Sequence, residues 1–198
     1  MSSQSSKAAW LIQEKAKPFV IQQAPDDPLS QNEIIVKNHT VAINPVDWMI
    51  QDLAIFPLTY PTILGYDIAG EVVAVGSLAA SNFAVGDRVA GHAISLETGE
   101  SKHGGFQLYT HLLTNMAVRI PSSISFESAV VMPLCLSTAM ACLFTKGSGL
   151  GLQYPPLDLD PAPGLSDPCR PAPAGRCRPS RRRDRRSCRR QSWRCCRH

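Results

Sequence analysis

Residues 65–76 constrain the fold of this chain more than any other stretch, because they have the pattern of one long strand with glycines at its start, middle and end. Apolar residues alternate there with small or polar ones, which is typical of a strand with one buried face. Gly70 lies inside the run and predicts a β-bulge or a close approach by another backbone. A turn-rich run at 56–61 precedes the strand, and residues 86–91 add a turn and a short apolar strand after it. We therefore expect a β structure built around residues 65–76.

The rest of the first 150 residues predicts a small β-barrel or sandwich followed by helices. Pro45 suits the first turn of a short helix through residues 46–50. Ser125 is the expected N-cap of a helix over residues 126–132, and residues 134–146 predict a second helix. The predicted fold class is therefore mainly β with helices. Seven short strands are expected, at residues 7–13, 19–22, 33–43, 65–76, 87–94, 106–113 and 116–120.

Composition changes abruptly near residue 150. Residues 1–150 hold 8 Lys and Arg against 12 Asp and Glu, whereas residues 151–198 hold 12 Arg, no Lys and 4 Asp. Five of the 7 Cys and 8 of the 16 Pro also lie after residue 150, where no apolar periodicity is visible. Such a segment cannot bury enough apolar surface to offset the entropy lost on ordering, so residues 151–198 are expected to form a disordered Pro/Arg/Cys-rich tail.

The shift to Pro, Arg, Ala, Gly and Cys without Lys is also what a GC-rich coding region read out of frame would produce. We hypothesise that the chain is a truncated product whose tail, from residue 155 on, is aberrant through a frameshift or a splicing error. The coding DNA tests this hypothesis. An adjacent frame that continues with a strand and a glycine-rich turn would support it, and an intact frame with correctly placed introns would contradict it.

The sequence contains no unbroken apolar run of about 18 residues, and its first seven residues contain no apolar segment. We therefore expect neither a membrane-spanning helix nor a secretory signal. A cytoplasmic, reducing compartment is the resulting expectation, and disulfides are rare there.

Several motifs occur in order along residues 7–150 and together resemble one known family. They are Asn44-Pro45-Val46-Asp47-Trp48, the run 65–72 with Val75-Gly76, Gly86-Asp87-Arg88-Val89, Gly104-Gly105-Phe106 and the run 133–139. In this order they resemble the catalytic half of the medium-chain dehydrogenase/reductase superfamily, whose fold is similar to the GroES barrel. Within it the chain is most similar to zinc-independent fungal oxidoreductases, including quinone-reductase-like proteins and the trans-acting enoyl reductases of polyketide pathways. The resemblance implies that residues 7–150 form the GroES-like catalytic domain.

The resemblance also bears on zinc. Zinc alcohol dehydrogenases of this superfamily hold a catalytic zinc with a Cys, a His and a second Cys, and the matching positions here are Asn44, Tyr66 and Cys135. A catalytic zinc needs three good protein ligands, which an amide, a phenol and one thiol do not provide. Residues 92–103, at the place of the four-cysteine structural lobe, contain no Cys. We therefore expect a zinc-free protein in which Cys135 is a buried apolar thiol.

The activity that the resemblance implies is that of an NADPH-dependent oxidoreductase, which transfers hydride to an activated C=C bond or a quinone of a small-molecule substrate. Hydrogen-bond donors must then stabilise a developing enolate, and the candidate donors are Tyr66, Asn44 and Thr138. The catalytic candidates are Tyr66, Asn44 and Asp47. The resemblance places Thr138, with Asn44, against the cofactor. Met49 stands where related sequences often carry Lys.

Each candidate also has a purely structural interpretation, which the sequence leaves open. Asn44 is also a turn former, and Asp47 also suits the role of a brace for the short helix. Tyr66 also fits a core aromatic position, and the hydroxyl of Thr138 also suits a bond to the preceding helical turn. The scattered histidines are expected to be structural or exposed rather than metal ligands: His39, His92 and His111.

A reductase of this kind needs a βαβ nucleotide-binding domain, which should begin near residue 160. No apolar strand with a glycine-rich turn occurs there, and residues 147–152 fail the dinucleotide fingerprint because Leu152 occupies the third glycine position. We therefore expect the chain alone to be inactive.

A non-catalytic GroES-like remnant or interaction module is the alternative function. The arginine run at 181–190 suits nucleic acid, but the negative charge of residues 1–150 argues against that partner. The substrate, a partner synthase and a homodimer stay open.

Overall fold

The computed structural model describes residues 6–155 of the chain. Eight strands in this part form two antiparallel sheets. The smaller sheet contains β1 (Lys7–Leu11), β2 (Val20–Gln23) and β4 (Thr62–Ile63), in the order β2-β1-β4. The larger sheet contains β3 (Glu33–Ala42), β5 (Asp67–Val75), β6 (Arg88–His92), β7 (Tyr109–Leu113) and β8 (Ala117–Arg119), in the order β7-β3-β5-β6-β8.

Four α-helices and three 3₁₀ turns complete the described part. The helices are α1 (Pro45–Leu53), α2 (Ser95–Thr98), α3 (Phe126–Ala129) and α4 (Pro133–Phe144). The 3₁₀ turns are Ala79–Ser81, Ser101–His103 and Thr114–Met116.

The strand β5 lies at the centre of the larger sheet, as expected of the glycine-punctuated stretch. It pairs with β3 on one side and with β6 on the other. Opposite Gly70, β3 contains one extra residue, His39, so the register shifts between Asn38 and Thr40. A Cβ atom on Gly70 would lie 2.0 Å from the carbonyl oxygen of Lys37. The expected close backbone approach is therefore confirmed, and the bulge lies in the facing strand.

The two sheets curl into a half-barrel, joined through the loop that precedes β7. The backbone N–H of Ala9 donates to the carbonyl of Phe106 at 2.8 Å, and that of Leu108 donates to the carbonyl of Lys7 at 3.0 Å. Apolar side chains from one face of β3, β5, β6 and β7 fill the interior. The most deeply buried of them are Ile34, Val36, Ile68, Val72, Val89 and Leu112. The predicted mainly β fold class is confirmed.

The sequence pattern located the seven expected strands but missed β4, which is only two residues long. It also predicted too long a helix at residues 126–132, since α3 ends at Ala129. The expected N-cap is confirmed: Ser125 Oγ accepts a hydrogen bond from the backbone N–H of Ser128 at 3.2 Å. Residues 151–155 form no regular secondary structure, and the rest of the predicted disordered tail lies outside the described residues.

The helical exit of the domain is unusually apolar and exposed. No residue of α4 is buried. The stretch Phe126–Phe144 is long and apolar enough to span a membrane by length and composition, although Glu127 and Pro133 interrupt it. Core helices of water-soluble proteins pass the same test, so these two properties do not place the stretch in a bilayer. The absence of a membrane-spanning helix therefore stays a prediction.

Candidate functional site

A cluster of buried polar groups lies where β3 ends, β5 begins and α4 begins. Because β3 and β5 are antiparallel, Ala42 pairs with Asp67, which brings the residues after β3 beside the start of β5. Asn44 then caps α1, with Pro45 at the first helical position as the sequence predicted. The backbone N–H of Asn44 donates to Asp47 Oδ2 at 2.7 Å. Asp47 is therefore the brace of the short helix, one of its two interpretations.

The side chain of Asn44 links this helix start to β5 and α4. Its Nδ2 donates to Asp67 Oδ2 at 3.0 Å, and the other carboxylate oxygen, Oδ1, accepts from the backbone N–H of Leu134 at 2.8 Å. Asp67 is 1% exposed and Asn44 is 7% exposed. One buried carboxylate thus fixes the orientation of the Asn44 amide and ties the first turn of α4 to the sheet.

Both carboxyl groups of the cluster are shielded from water, which disfavours their ionised forms. Burial raises the pKa of Asp47 to about 6, helped by the negative charge of Asp67 and opposed by the hydrogen bond from Asn44. Burial also raises the pKa of Asp67, against the hydrogen bonds from Asn44 and Leu134. The site therefore holds one carboxyl group, Asp47, whose pKa of about 6 lies well above that of an exposed aspartate.

Tyr66 forms the apolar side of the site. It is 6% exposed and belongs to a buried cluster with Leu11, Ile50 and Leu64. Its ring meets the ring of His92 edge-on, with centroids 5.4 Å apart. Burial raises the pKa of the Tyr66 phenol above its usual value, so the hydroxyl stays protonated at neutral pH and can donate a hydrogen bond.

The two candidates on α4 are exposed to solvent. Cys135 is exposed, so the expectation of a buried apolar thiol is wrong. The reason is that α4 contacts the domain at its first turn, where Leu134 packs against the cluster containing Tyr66, and buries none of its residues fully. Thr138 is also exposed, and within residues 6–155 its hydroxyl makes no hydrogen bond to the preceding turn. The structure therefore places Asn44, Asp47 and Tyr66 together in the buried site, whereas Cys135 and Thr138 are exposed on α4.

The histidines follow the structural interpretation in different ways. His39 is exposed and stacks on Phe126, with ring centroids 4.6 Å apart. His92 packs against Tyr66, and His111 is buried beside Glu33. Among residues 6–155, no three His, Cys, Asp or Glu side chains are arranged to hold a metal ion.

Sequence reasoning missed Asp67, the residue that joins the other members of the site. The available signal was a charged residue inside an apolar strand, directly after Tyr66. A buried charge needs compensating hydrogen bonds, so such a residue predicts a polar partner nearby. The neighbouring Asn44 and the free N–H groups at the start of α4 are those partners.

Comparisons with known proteins agree with this architecture. Residues 30–122 match the alcohol dehydrogenase GroES-like domain. The zinc-binding alcohol dehydrogenase domain-containing protein cipB of Emericella nidulans is 52% identical over 145 residues, which are 73% of this chain and 46% of cipB. The trans-enoyl reductase himH of Aspergillus japonicus is 40% identical over 159 residues, covering 79% of this chain and 45% of himH. The chain thus spans about half the length of the curated relatives that it matches.

Solved structures share the same fold. An alcohol dehydrogenase superfamily protein from Novosphingobium aromaticivorans superposes with a TM-score of 0.61 at 26% identity, over 72% of this chain and 42% of that protein. A mycobacterial protein solved in complex with NADPH superposes with a TM-score of 0.57 at 20% identity, over 69% of this chain and 40% of that protein.

Proposed function

This chain belongs to the medium-chain dehydrogenase/reductase superfamily, of which it carries the N-terminal GroES-like domain, and we propose that this domain forms the substrate side of a zinc-free, NADPH-dependent reductase. The proposed reaction is hydride transfer to an activated C=C bond or a quinone. The relatives' names support the reductase class: one is a trans-enoyl reductase, and cipB is described as an alcohol dehydrogenase domain protein. The proposed compartment is the cytoplasm.

The observation that carries the zinc-free proposal is the donor set at the three positions where zinc enzymes of the superfamily have ligands. Asn44 offers an amide whose nitrogen already donates to Asp67. Tyr66 offers a phenol whose pKa burial raises, whereas a metal ligand would have to be the phenolate. Cys135 is the remaining thiol, and zinc needs more than one strong ligand. The printed name of cipB speaks of zinc, so this proposal requires a direct test.

In this proposal the protein polarises the substrate by hydrogen bonds instead of a metal ion. Tyr66 is the proposed catalytic donor, because a neutral buried phenol can stabilise an oxyanion as charge develops on it. Asn44 is the second proposed donor, since its amide keeps one N–H beyond the bond to Asp67. We propose Asp47 as a positioning residue, because its buried carboxylate accepts a hydrogen bond from the Asn44 backbone and so holds Asn44 in place.

The residues present fit the cofactor only in part. The exposed hydroxyl of Thr138 is free to contact the nicotinamide end. The pyrophosphate of a dinucleotide needs a glycine-rich turn at a helix N-terminus, and residues 6–155 contain no such unit after a parallel strand. We therefore propose that the described domain alone does not turn over substrate and that it needs a nucleotide-binding half to do so. When bound there, NADPH would supply the hydride.

A chimeric enzyme tests the reductase proposal. Residues 7–154 are joined to the part of cipB that this chain does not match, and NADPH oxidation is followed with an enoyl thioester and with a quinone. We expect turnover with at least one of them, and a loss of about a hundredfold in kcat for Tyr66→Phe, the usual effect of removing one oxyanion donor. Tyr154→Phe, at an exposed position, is the matched control. Equal activity of Tyr66→Phe and the control would contradict the proposed role of Tyr66.

The same observations leave one second candidate function, a non-catalytic interaction module built from the GroES-like domain. The exposed apolar helix α4 favours it, since such a surface is unusual on a domain that acts alone. Both candidate functions assume that the nucleotide site of this chain is incomplete. Titration of NADPH into the 198-residue chain tests that assumption. Tight binding would contradict the proposal that the nucleotide site is incomplete.

A further inference from the structure

Asp67 on β5 divides its two carboxylate oxygens between two different elements. Oδ2 accepts from the Asn44 side chain, just before α1, at 3.0 Å. Oδ1 accepts from the backbone N–H of Leu134, in the first turn of α4, at 2.8 Å. Because Asp67 is only 1% exposed, solvent does not compete for either bond. A single buried side chain therefore bridges the residue proposed to face the substrate and the helix that carries Thr138.

The carboxylate decides which end of the Asn44 amide is tied down. Both Asp67 oxygens accept, and an ionised carboxylate has no hydrogen to donate. Asn44 must therefore turn its NH₂ group, rather than its carbonyl oxygen, toward Asp67. The second hydrogen of that NH₂ group is the one proposed to face the substrate. A side chain that donated from the position of Asp67 Oδ2 would make the amide turn over and reverse this arrangement.

The helix α4 depends on Asp67 for its N-terminal cap. Its own N-cap residue, Met132, makes no side-chain cap bond, and its first turn contains no acidic residue. Pro133, the first helical residue, has no backbone N–H, so Leu134 carries the first N–H that needs a partner. Asp67 supplies that partner from β5 and places a carboxylate at the positive end of the helix dipole.

The first turn also holds α4 against the domain by packing. Leu134 is half-buried and packs against the apolar cluster that contains Tyr66, whereas no residue of α4 is fully buried. Thr138 lies four residues after Leu134, one turn along the same side of the helix. A tilt of the first turn would therefore displace Thr138, the residue proposed to contact the nicotinamide end of the cofactor.

We propose that Asp67 is a positioning residue that aligns the two sides of the reaction, a role that rests on the proposed function for the tasks of Asn44 and Thr138. One oxygen aims the Asn44 donor at the substrate, and the other holds the helix that carries Thr138 to the cofactor. Asp67 is buried behind both and touches neither ligand. A misplacement of reacting groups by about 1 Å can cost about a hundredfold in rate, so loss of Asp67 should be visible in turnover.

Two substitutions separate the two oxygens in the chimera of residues 7–154 with the unmatched part of cipB. Asp67→Asn keeps an oxygen for the Leu134 N–H but presents an NH₂ group to Asn44, whose amide must then turn over. We expect kcat to fall by about ten- to hundredfold, with the KM for NADPH unchanged within about twofold.

Asp67→Ala loses both bonds. We expect a similar fall in kcat, together with a rise of about five- to tenfold in the KM for NADPH, which corresponds to about one hydrogen bond. Equal values of that KM in Asp67→Asn and Asp67→Ala would overturn the separate role of the α4 bond.

Glu33→Gln is the matched control for removing a buried carboxylate from the same sheet. Glu33 is 2% exposed and lies at the opposite end of β3 from Ala42, about 30 Å from the site. Its kcat and its KM for NADPH should stay within about twofold of the wild type. A kcat of Asp67→Asn equal to that of this control would overturn the proposal, and the comparison stands even if Asp67→Ala does not fold.

Hydrogen exchange of the 198-residue chain tests the bond to α4 without any activity. Protection of the Leu134 amide should fall by about tenfold in Asp67→Ala and persist in Asp67→Asn, while β7 changes by less than about threefold in both. Loss in both variants, or in neither, would overturn the proposed hold on α4. A wild-type chimera without turnover would instead refute the proposed function, and with it the catalytic part of this role.

Discussion

Replacing Asp47 by Asn should change how the stability of the domain depends on pH. The pKa of Asp47 is raised from 3.8 to about 6, chiefly by burial. The folded state therefore binds this proton more tightly than the unfolded state. The resulting stabilisation is fully present below pH 3.8 and is lost as pH rises through 6. Asparagine keeps an oxygen that can accept from the Asn44 N–H but carries no proton to lose.

The size of the effect follows from the shift. At 1.36 kcal/mol per pKa unit, a rise from 3.8 to about 6 corresponds to about 3 kcal/mol in full. About 1.4 kcal/mol of this falls between pH 8 and pH 5, where the unfolded-state group is ionised throughout. Because Asp47 is 3% exposed, solvent screening takes little from this value. The stability difference between wild type and Asp47→Asn should therefore shift by about 1.4 kcal/mol in favour of the wild type as pH falls from 8 to 5.

Urea unfolding at several pH values between 5 and 8, followed by circular dichroism, provides the measurement. Taking the difference between the two proteins at each pH cancels the titration of groups that both share, including His111. Asp26→Asn, in an exposed loop, controls for the loss of one negative charge. A wild-type minus Asp47→Asn difference that stays constant across this range would refute the assignment of a raised pKa to Asp47.

Substitutions at three further positions have defined outcomes. Gly70→Ala should destabilise the domain by about 3 kcal/mol in urea unfolding, because the new Cβ would collide with the carbonyl of Lys37. Gly99→Ala, with φ +71 and open space around it, should cost only about 1 kcal/mol, and an equal loss for both would contradict the clash. Ser125→Ala should cost about 1 kcal/mol through loss of the α3 cap, whereas Ser125→Asp should retain most of the stability; no difference between them would argue against capping.

The positions of the long strands along the chain could be predicted from the sequence because these strands carry a two-residue alternation. β4 could not, since two residues contain no periodicity and their pairing with β1 depends on tertiary structure. The helix start at Pro45 and the cap at Ser125 follow from local backbone chemistry, which a sequence does show.

The site was only partly predictable, for a different reason. Asn44 and Tyr66 were found through the resemblance, but Asp67 acts through Asn44 and Leu134, which lie 23 and 67 residues away along the chain. Such pairings arise from the sheet register, which no local pattern records. The burial of Cys135 was mispredicted because an apolar helix usually packs against a partner, whereas α4 buries no residue within residues 6–155.

The most direct test of the zinc-free proposal is the response of the chimera to a metal chelator. Residues 7–154 joined to the unmatched part of cipB are purified, analysed for zinc by mass spectrometry, and assayed for NADPH oxidation with and without chelator and added zinc. Natural cipB is assayed in parallel. We expect far less than one zinc per chain and activity that neither treatment changes. Stoichiometric zinc, with activity abolished by the chelator and restored by the metal, would contradict the proposal that Asn44, Tyr66 and Cys135 form a metal-free site.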